Sequence, residues 1–233
     1  MERTVRENVE AVLERIARAE ARSGRSSGAV RLVAVSKTQP VARIAEAYEA
    51  GLRVFGENYV REAEEKVRAF PDAEWHFIGK LQGNKVKKAV SLFGWIQAVD
   101  SPRLLAEISR RCAEAEKTLP VLIEVNLGGE ESKAGVSPEA LPSLLASAAE
   151  QPGIRVRGLM AIPPAADDPE ESRPRFAALR ELLERYATLA GSGEKMTELS
   201  MGMSNDFEAA IEEGATMVRV GTAVFGSRAR REA

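Results

Sequence analysis

The sequence predicts an α/β protein: a single-domain (β/α)8 barrel of the TIM type, with an extra helix at its N-terminus. Three observations carry this. Apolar strand-like runs and amphipathic helical stretches alternate eight times, which calls for parallel strands joined by helical crossovers. The 233 residues come close to the roughly 250 typical of such a barrel and leave no block for a second domain. No Gly-x-Gly-x-x-Gly follows the first strand and no Walker-type phosphate loop occurs, which disfavours a doubly wound nucleotide fold.

The elements follow in order. Val5, Val9, Val12, Leu13 and Ile16 share one face of a first helix that runs to about Arg22. Ser23 to Gly28 read as a loop, so positions 1–28 stand as an N-terminal addition. Strand-like runs are expected at Leu32–Val35, Leu52–Phe55, Trp75–Ile78, Trp95–Val99, Val121–Val125, Val156–Met160, Glu198–Met201 and Met217–Val220. Ser101-Pro102 reads as an N-cap followed by proline at the first helical position, with Leu104, Leu105, Ile108 and Cys112 on one face. Ser137-Pro138 looks like the same device. Phe176, Leu179, Leu182, Leu183 and Tyr186 form another helical stripe, and 227–233 read as a polar tail.

Composition limits the partners. Thirty-three basic residues against 35 acidic ones give a net charge of −2, which argues against a dedicated polyanion binder. Lys80, Lys85, Lys87 and Lys88 read as a solvated helix start rather than a nucleic-acid footprint. No apolar stretch approaches the roughly 20 residues of a membrane span, and the charged N-terminus does not resemble a secretion signal. The single cysteine, Cys112, has no internal disulfide partner. A cytoplasmic protein, monomeric or weakly dimeric, is expected.

In a barrel of this kind the C-terminal strand ends form the active face. The first strand ends in Ser36-Lys37, and an amine at the mouth of an apolar strand suits condensation with an aldehyde. The competing reading is an ordinary surface lysine. Ser204 or Asn205 reads as the N-cap of the helix carrying Phe207, with Glu208 closing the cap, and Gly221-Thr222 ends the eighth strand. Together they offer backbone amides and hydroxyls where barrels commonly bind phosphate. Arg219 adds a cation between lysine and cradle. A phosphorylated aldehyde satisfies all three; pyridoxal phosphate fits, and a phosphorylated sugar aldehyde handled by an aldolase fits nearly as well.

Longer motifs narrow the choice. Val33-Ala34-Val35-Ser36-Lys37, Phe55-Gly56-Glu57-Asn58-Tyr59-Val60, Trp75-His76-Phe77-Ile78-Gly79-Lys80-Leu81-Gln82, Gly158-Leu159-Met160-Ala161-Ile162-Pro163, Ser200-Met201-Gly202-Met203-Ser204-Asn205-Asp206 and Val218-Arg219-Val220-Gly221-Thr222 span essentially the whole chain. In these the sequence resembles the YggS/PROSC family of pyridoxal phosphate homeostasis proteins. The resemblance implies a barrel like the N-terminal domain of alanine racemase (pyridoxal phosphate fold type III), with the cofactor held on Lys37 as a Schiff base. Arg219 would face the pyridine nitrogen, Ser204, Gly221 and Thr222 would bind the phosphate, and Asn58 would lie beside the ring.

The expected role is a carrier that sequesters, buffers or delivers the cofactor, possible recipients being pyridoxal phosphate-dependent apoenzymes. No second catalytic acid/base is evident: Tyr59, beside Asn58, reads as packing, and His76 as a satisfied core or supporting group. No carboxylate or cysteine stands at ligand spacing from His76, so no metal site is expected. The alternative is a pyridoxal phosphate-dependent enzyme, such as a low-activity amino-acid racemase.

Overall fold

The apolar run beginning at Arg31 becomes the first of eight parallel strands in a computed structural model that describes residues 3–128, 134–164, 166–191 and 195–226. The strands are β1 (Arg31–Val35), β2 (Val54–Glu57), β3 (Glu74–Phe77), β4 (Trp95–Val99), β5 (Leu119–Glu124), β6 (Ile154–Met160), β7 (Glu198–Ser200) and β8 (Met217–Val220). Each pairs with its neighbour in sequence, and β8 closes on β1 through pairs such as Leu32↔Val218. The result is the expected closed barrel. Around it lie α2 (Val41–Glu49), α3 (Val60–Ala69), α4 (Val86–Leu92), α5 (Pro102–Glu114), α6 (Leu141–Ala149), α7 (Arg173–Tyr186), α8 (Phe207–Glu212) and α9 (Thr222–Phe225).

The N-terminal helix, α1 (Val5–Arg22), starts on a reciprocal cap between Thr4 and Glu7. Its buried face, Val5, Val9, Val12, Ile16 and Ala19, packs on α2, α8 and α9, covering the seam where the barrel closes. Asn8 Nδ2 donates to the Val224 carbonyl (3.1 Å) and Arg15 pairs with Glu208 (2.8 Å), fixing the helix at that seam.

Strand alternation divides the core in two. Outward residues such as Phe55, Phe77 and Ile96 meet the helices through Ile44, Leu105, Ile108 and Phe176 in one apolar shell. Inside the barrel the apolar cluster is small: Ala98, Leu122 and Met160, with Trp95 against them. Polar side chains fill much of the remainder. Cys112 is a buried member of the outer shell, and burial raises its thiol pKa, as befits an inert core residue.

Three local expectations need correction. The second strand starts at Val54 rather than Leu52, because the Leu52 amide is bonded to the Ala47 carbonyl and closes the end of α2. Ser137 does accept from the Ala140 amide (3.4 Å), but the helix proper begins at Leu141, since Pro142 has no N–H to bond the Pro138 carbonyl. Ser204, Asn205 and Glu208 do not cap α8. Asp206 holds the N-cap position, and its carboxylate instead accepts from the Met203 amide (2.7 Å). No helix among the described residues is long and apolar enough to cross a membrane.

Candidate functional site

At the C-terminal mouth of the barrel lies a cavity of about 280 Å³, near the lower bound for small-ligand sites. Lys37, Asn58, Ser204, Arg219, Gly221 and Thr222 all line it. Lys37 enters from the loop after β1, Asn58 from the end of β2, Arg219 from β8, and the others from the loops after β7 and β8. Val35, Ile78 and Ile162 provide apolar wall, and Gln39 and Met203 complete the rim. A larger recess, about 970 Å³, lies beside it between Lys80–Asn84 and Asp100–Arg110 and contains none of these six residues. It is an open groove whose Arg110 is already paired with Glu107 and Glu114, so chemistry rather than size selects the smaller cavity.

Close packing brings Asn58 to its place. A Cβ on Gly79 would stand 2.6 Å from the Asn58 carbonyl oxygen, so only glycine lets the loop after β3 press so near. The Asn58 Oδ1 is buried and has no hydrogen-bond partner among the described residues, an acceptor on the cavity wall that a ligand can satisfy. The loops after β7 and β8 are braced together: Ser204 Oγ accepts from the Ala223 amide (3.2 Å), which leaves the hydroxyl hydrogen able to donate. Thr222 is exposed at the rim, and Asn205 Nδ2 turns away to the Ala166 carbonyl (3.1 Å).

Arg219 is buried and held from below. Its Nη1 donates to Ser200 Oγ (2.7 Å) and its Nη2 to the Ala161 carbonyl (2.9 Å). Ser200 donates in turn to Gln97 Oε1 (2.6 Å), Gln97 Nε2 to His76 Nδ1 (2.6 Å), and His76 Nε2–H to Glu74 Oε1 (2.5 Å). Five side chains from β8, β7, β4 and β3 thus form one column through the barrel, with every donor pointing away from the cavity. The order of donors fixes His76 as its neutral Nε2–H tautomer, and burial lowers its pKa in agreement. Sequence reading treated His76 as a satisfied core group but missed Gln97 and Ser200. A polar residue at an inward position of an apolar strand was the available signal.

Glu124, the last residue of β5, was also missed. It is buried, its carboxyl is pushed up to about 7, and Arg219 is pushed down to about 10. For both groups burial outweighs their mutual attraction. Arg219 remains a cation at neutral pH. A carboxyl that titrates near 4.5 when unfolded and about 7 when folded favours the folded state fully below pH 4.5, and the advantage disappears as pH rises through 7. Glu124→Gln is therefore expected to gain on the wild type by about 3 kcal/mol between pH 4.5 and 8. Denaturant titrations of both proteins across that range check it; parallel curves would show that Glu124 ionises normally.

Two further sequence readings meet the structure here. Tyr59 is not packing: it is 55% exposed, beside a separate groove that also takes in Lys80 and Lys85. Lys80 is exposed and lines the grooves flanking the cavity rather than the cavity itself.

Residues 8–229 match the family described as "Alanine racemase, N-terminal domain". A protein of Aquifex aeolicus named pyridoxal phosphate homeostasis protein is 48% identical over 227 residues, covering 95% of this chain and 97% of that one. PipY of Synechococcus elongatus, solved with pyridoxal phosphate bound, superposes with a TM-score of 0.79 at 40% identity, over 91% of this chain and all of PipY. An alanine racemase of Clostridium difficile shares the fold alone: TM-score 0.74 at 14% identity, over 97% of this chain and 61% of the racemase.

Proposed function

Because this chain belongs to the alanine racemase N-terminal domain family, and within it to the pyridoxal phosphate homeostasis proteins, we propose that it binds pyridoxal 5′-phosphate in the cavity at the barrel mouth and sequesters, buffers or delivers it. The observation that carries this reading is the convergence of a lysine, a buried arginine, an orphaned amide acceptor and two hydroxyl-bearing loops on one small cavity.

The cofactor supplies a reactive aldehyde, and the chain supplies its chemical partners. The Lys37 amine condenses with that aldehyde, releasing water, and holds the cofactor as a Schiff base. Ser204, Gly221 and Thr222 receive the phosphate, with the Ser204 hydroxyl donating because its oxygen already accepts from Ala223. Arg219 presents a fixed cation to the ring nitrogen and so disfavours protonation there. The ring is then a weak electron sink, which suits storage better than carbanion chemistry. Asn58 borders the ring.

On this reading the whole chain, 1–233, works as one cofactor-binding domain in the cytoplasm, as a monomer or weak dimer, and its cofactor passes to pyridoxal phosphate-dependent apoenzymes. The partly exposed Lys37 at an open mouth is consistent with transfer in both directions.

Incubation with pyridoxal phosphate, borohydride reduction and peptide mass mapping test the site. A single phosphopyridoxyl group on Lys37 is expected; label spread over surface lysines, or none, would remove Lys37 from its role. Chiral analysis after incubation with L-alanine should show no inversion. Inversion that depends on Lys37 would replace the carrier by a racemase.

A further inference from the structure

Among the described non-glycine residues only Thr38 and Glu116 have positive φ, 63° and 51°. Glu116 follows the C-terminal end of α5, where a left-handed residue is customary. Thr38 has no such excuse. It is β-branched, it follows no helix, and it directly succeeds Lys37; a residue of that kind stays in the left-handed region only when its surroundings hold it there.

The surroundings are on α3. Thr38 donates its amide to Glu62 Oε2 (2.9 Å). On the other side of Lys37, the Ser36 carbonyl accepts from Lys66 Nζ (2.8 Å) and from the Gln39 amide (3.0 Å). Lys66 also binds Glu57 Oε1 (2.7 Å), which accepts from the Ser36 hydroxyl (2.6 Å). Glu62 and Lys66 stand one turn apart on the same helix face, 3.8 Å between charges. Ser36 and Glu57 are fully buried and Lys66 nearly so, on the side of the strands away from the cavity. A buried ion pair is weak evidence for stability, because an apolar set of similar volume does as well. What these groups do that an apolar set would not is grip a backbone.

We propose that α3 is a positioning clamp: through Glu62 and Lys66 it fixes both peptide units flanking Lys37, and so pre-aims the lysine amine into the cavity. The proposal rests on Lys37 being the cofactor lysine. With the two flanking peptides fixed, φ and ψ of Lys37 are set before any ligand arrives, and capture needs only side-chain adjustment. Neither Glu62 nor Lys66 lines the cavity, and the bonds that make the clamp reach main-chain atoms, the Thr38 amide and the Ser36 carbonyl.

The test compares wild type, Glu62→Ala, Thr38→Gly and the double variant, using pyridoxal phosphate as probe. Stopped-flow absorbance reads the capture rate, and amide hydrogen exchange reads the Thr38 N–H in the cofactor-free protein. Glu62→Ala should slow capture about fivefold, the effect of one hydrogen bond lost from a single loop conformation, and should speed exchange at Thr38. Its thermal midpoint should stay at the wild-type value, because Glu62 is partly exposed. The double variant should recover most of the capture rate, since glycine occupies the left-handed region without being held. Wild-type capture by Glu62→Ala would overturn the clamp. So would a slow Glu62→Ala that glycine does not relieve, which would mean that the carboxylate acts on the ligand directly. A wild type that forms no adduct would overturn the assignment of Lys37 instead, and unprotected exchange at Thr38 in that protein would overturn the clamp on its own.

Discussion

Lys37→Ala is expected to lose the covalent adduct completely while the barrel stays folded. The lysine is half-buried in the loop directly after β1, so its truncation leaves no cavity in either apolar core, and the change in stability should stay within about 0.5 kcal/mol. Arg219, Asn58, Ser204 and the Gly221-Thr222 loop remain in place and should retain residual reversible affinity. Loss of the covalent link should weaken cofactor retention by at least about a hundredfold, equivalent to about 2.7 kcal/mol. Absorbance titration with and without borohydride measures both effects. A reducible yellow adduct persisting in the variant would place the condensing amine elsewhere.

Gly158→Ala should have the largest effect on stability. Gly158 on β6 lies directly opposite Glu198 on β7, and a Cβ there would collide with the Glu198 carbonyl oxygen, with the carbonyl carbon at 2.6 Å and the amide nitrogen at 2.8 Å. These are backbone atoms of the shortest strand of the barrel, and they have no rotamer into which to retreat. β6 and β7 must separate, and with them the Gly158–Met160 pairing that carries Ala161 and Ser200 to Arg219. A cost of about 4 kcal/mol or more is expected, beyond ordinary overpacking because the obstacle cannot move. Chemical denaturation followed by circular dichroism should show it. A midpoint near that of the wild type would mean that the sheet closes with room to spare.

Much of this architecture was legible in the sequence because it is periodic. β4 and β8 begin and end where the apolar runs do, and the other strands differ by one or two residues at their ends, as boundaries generally do. The six candidate site residues could be gathered because a barrel sends every strand end to one face. Caps were less legible. Ser204 and Ser137 have the right side chain for an N-cap, but the outcome depends on residues further along: the Ser204 hydroxyl serves the Ala223 amide of α9, and Pro142 delays the helix after Ser137 to Leu141. The Ser36–Glu57–Lys66 cluster was not legible at all. Its members look like solvated polar residues until the packing of α3 on β1 and β2 makes them neighbours.

The column from Arg219 to Glu74 also bears on how the chain finds its strand register. The inward faces of β3, β4, β7 and β8 all contribute to it, β3 with both His76 and Glu74, and each strand's contribution is bonded to a complementary group on another strand of the column. Sliding any one of these strands by a residue would turn its polar group outward. The partners left inside would then be buried without hydrogen bonds, at about 1–3 kcal/mol apiece. Apolar side chains of similar volume would tolerate such a slip. The polar interior therefore acts as a key: an almost-correct barrel is penalised in stranded donors and acceptors, and only one alignment of the strands leaves none of them unpaired.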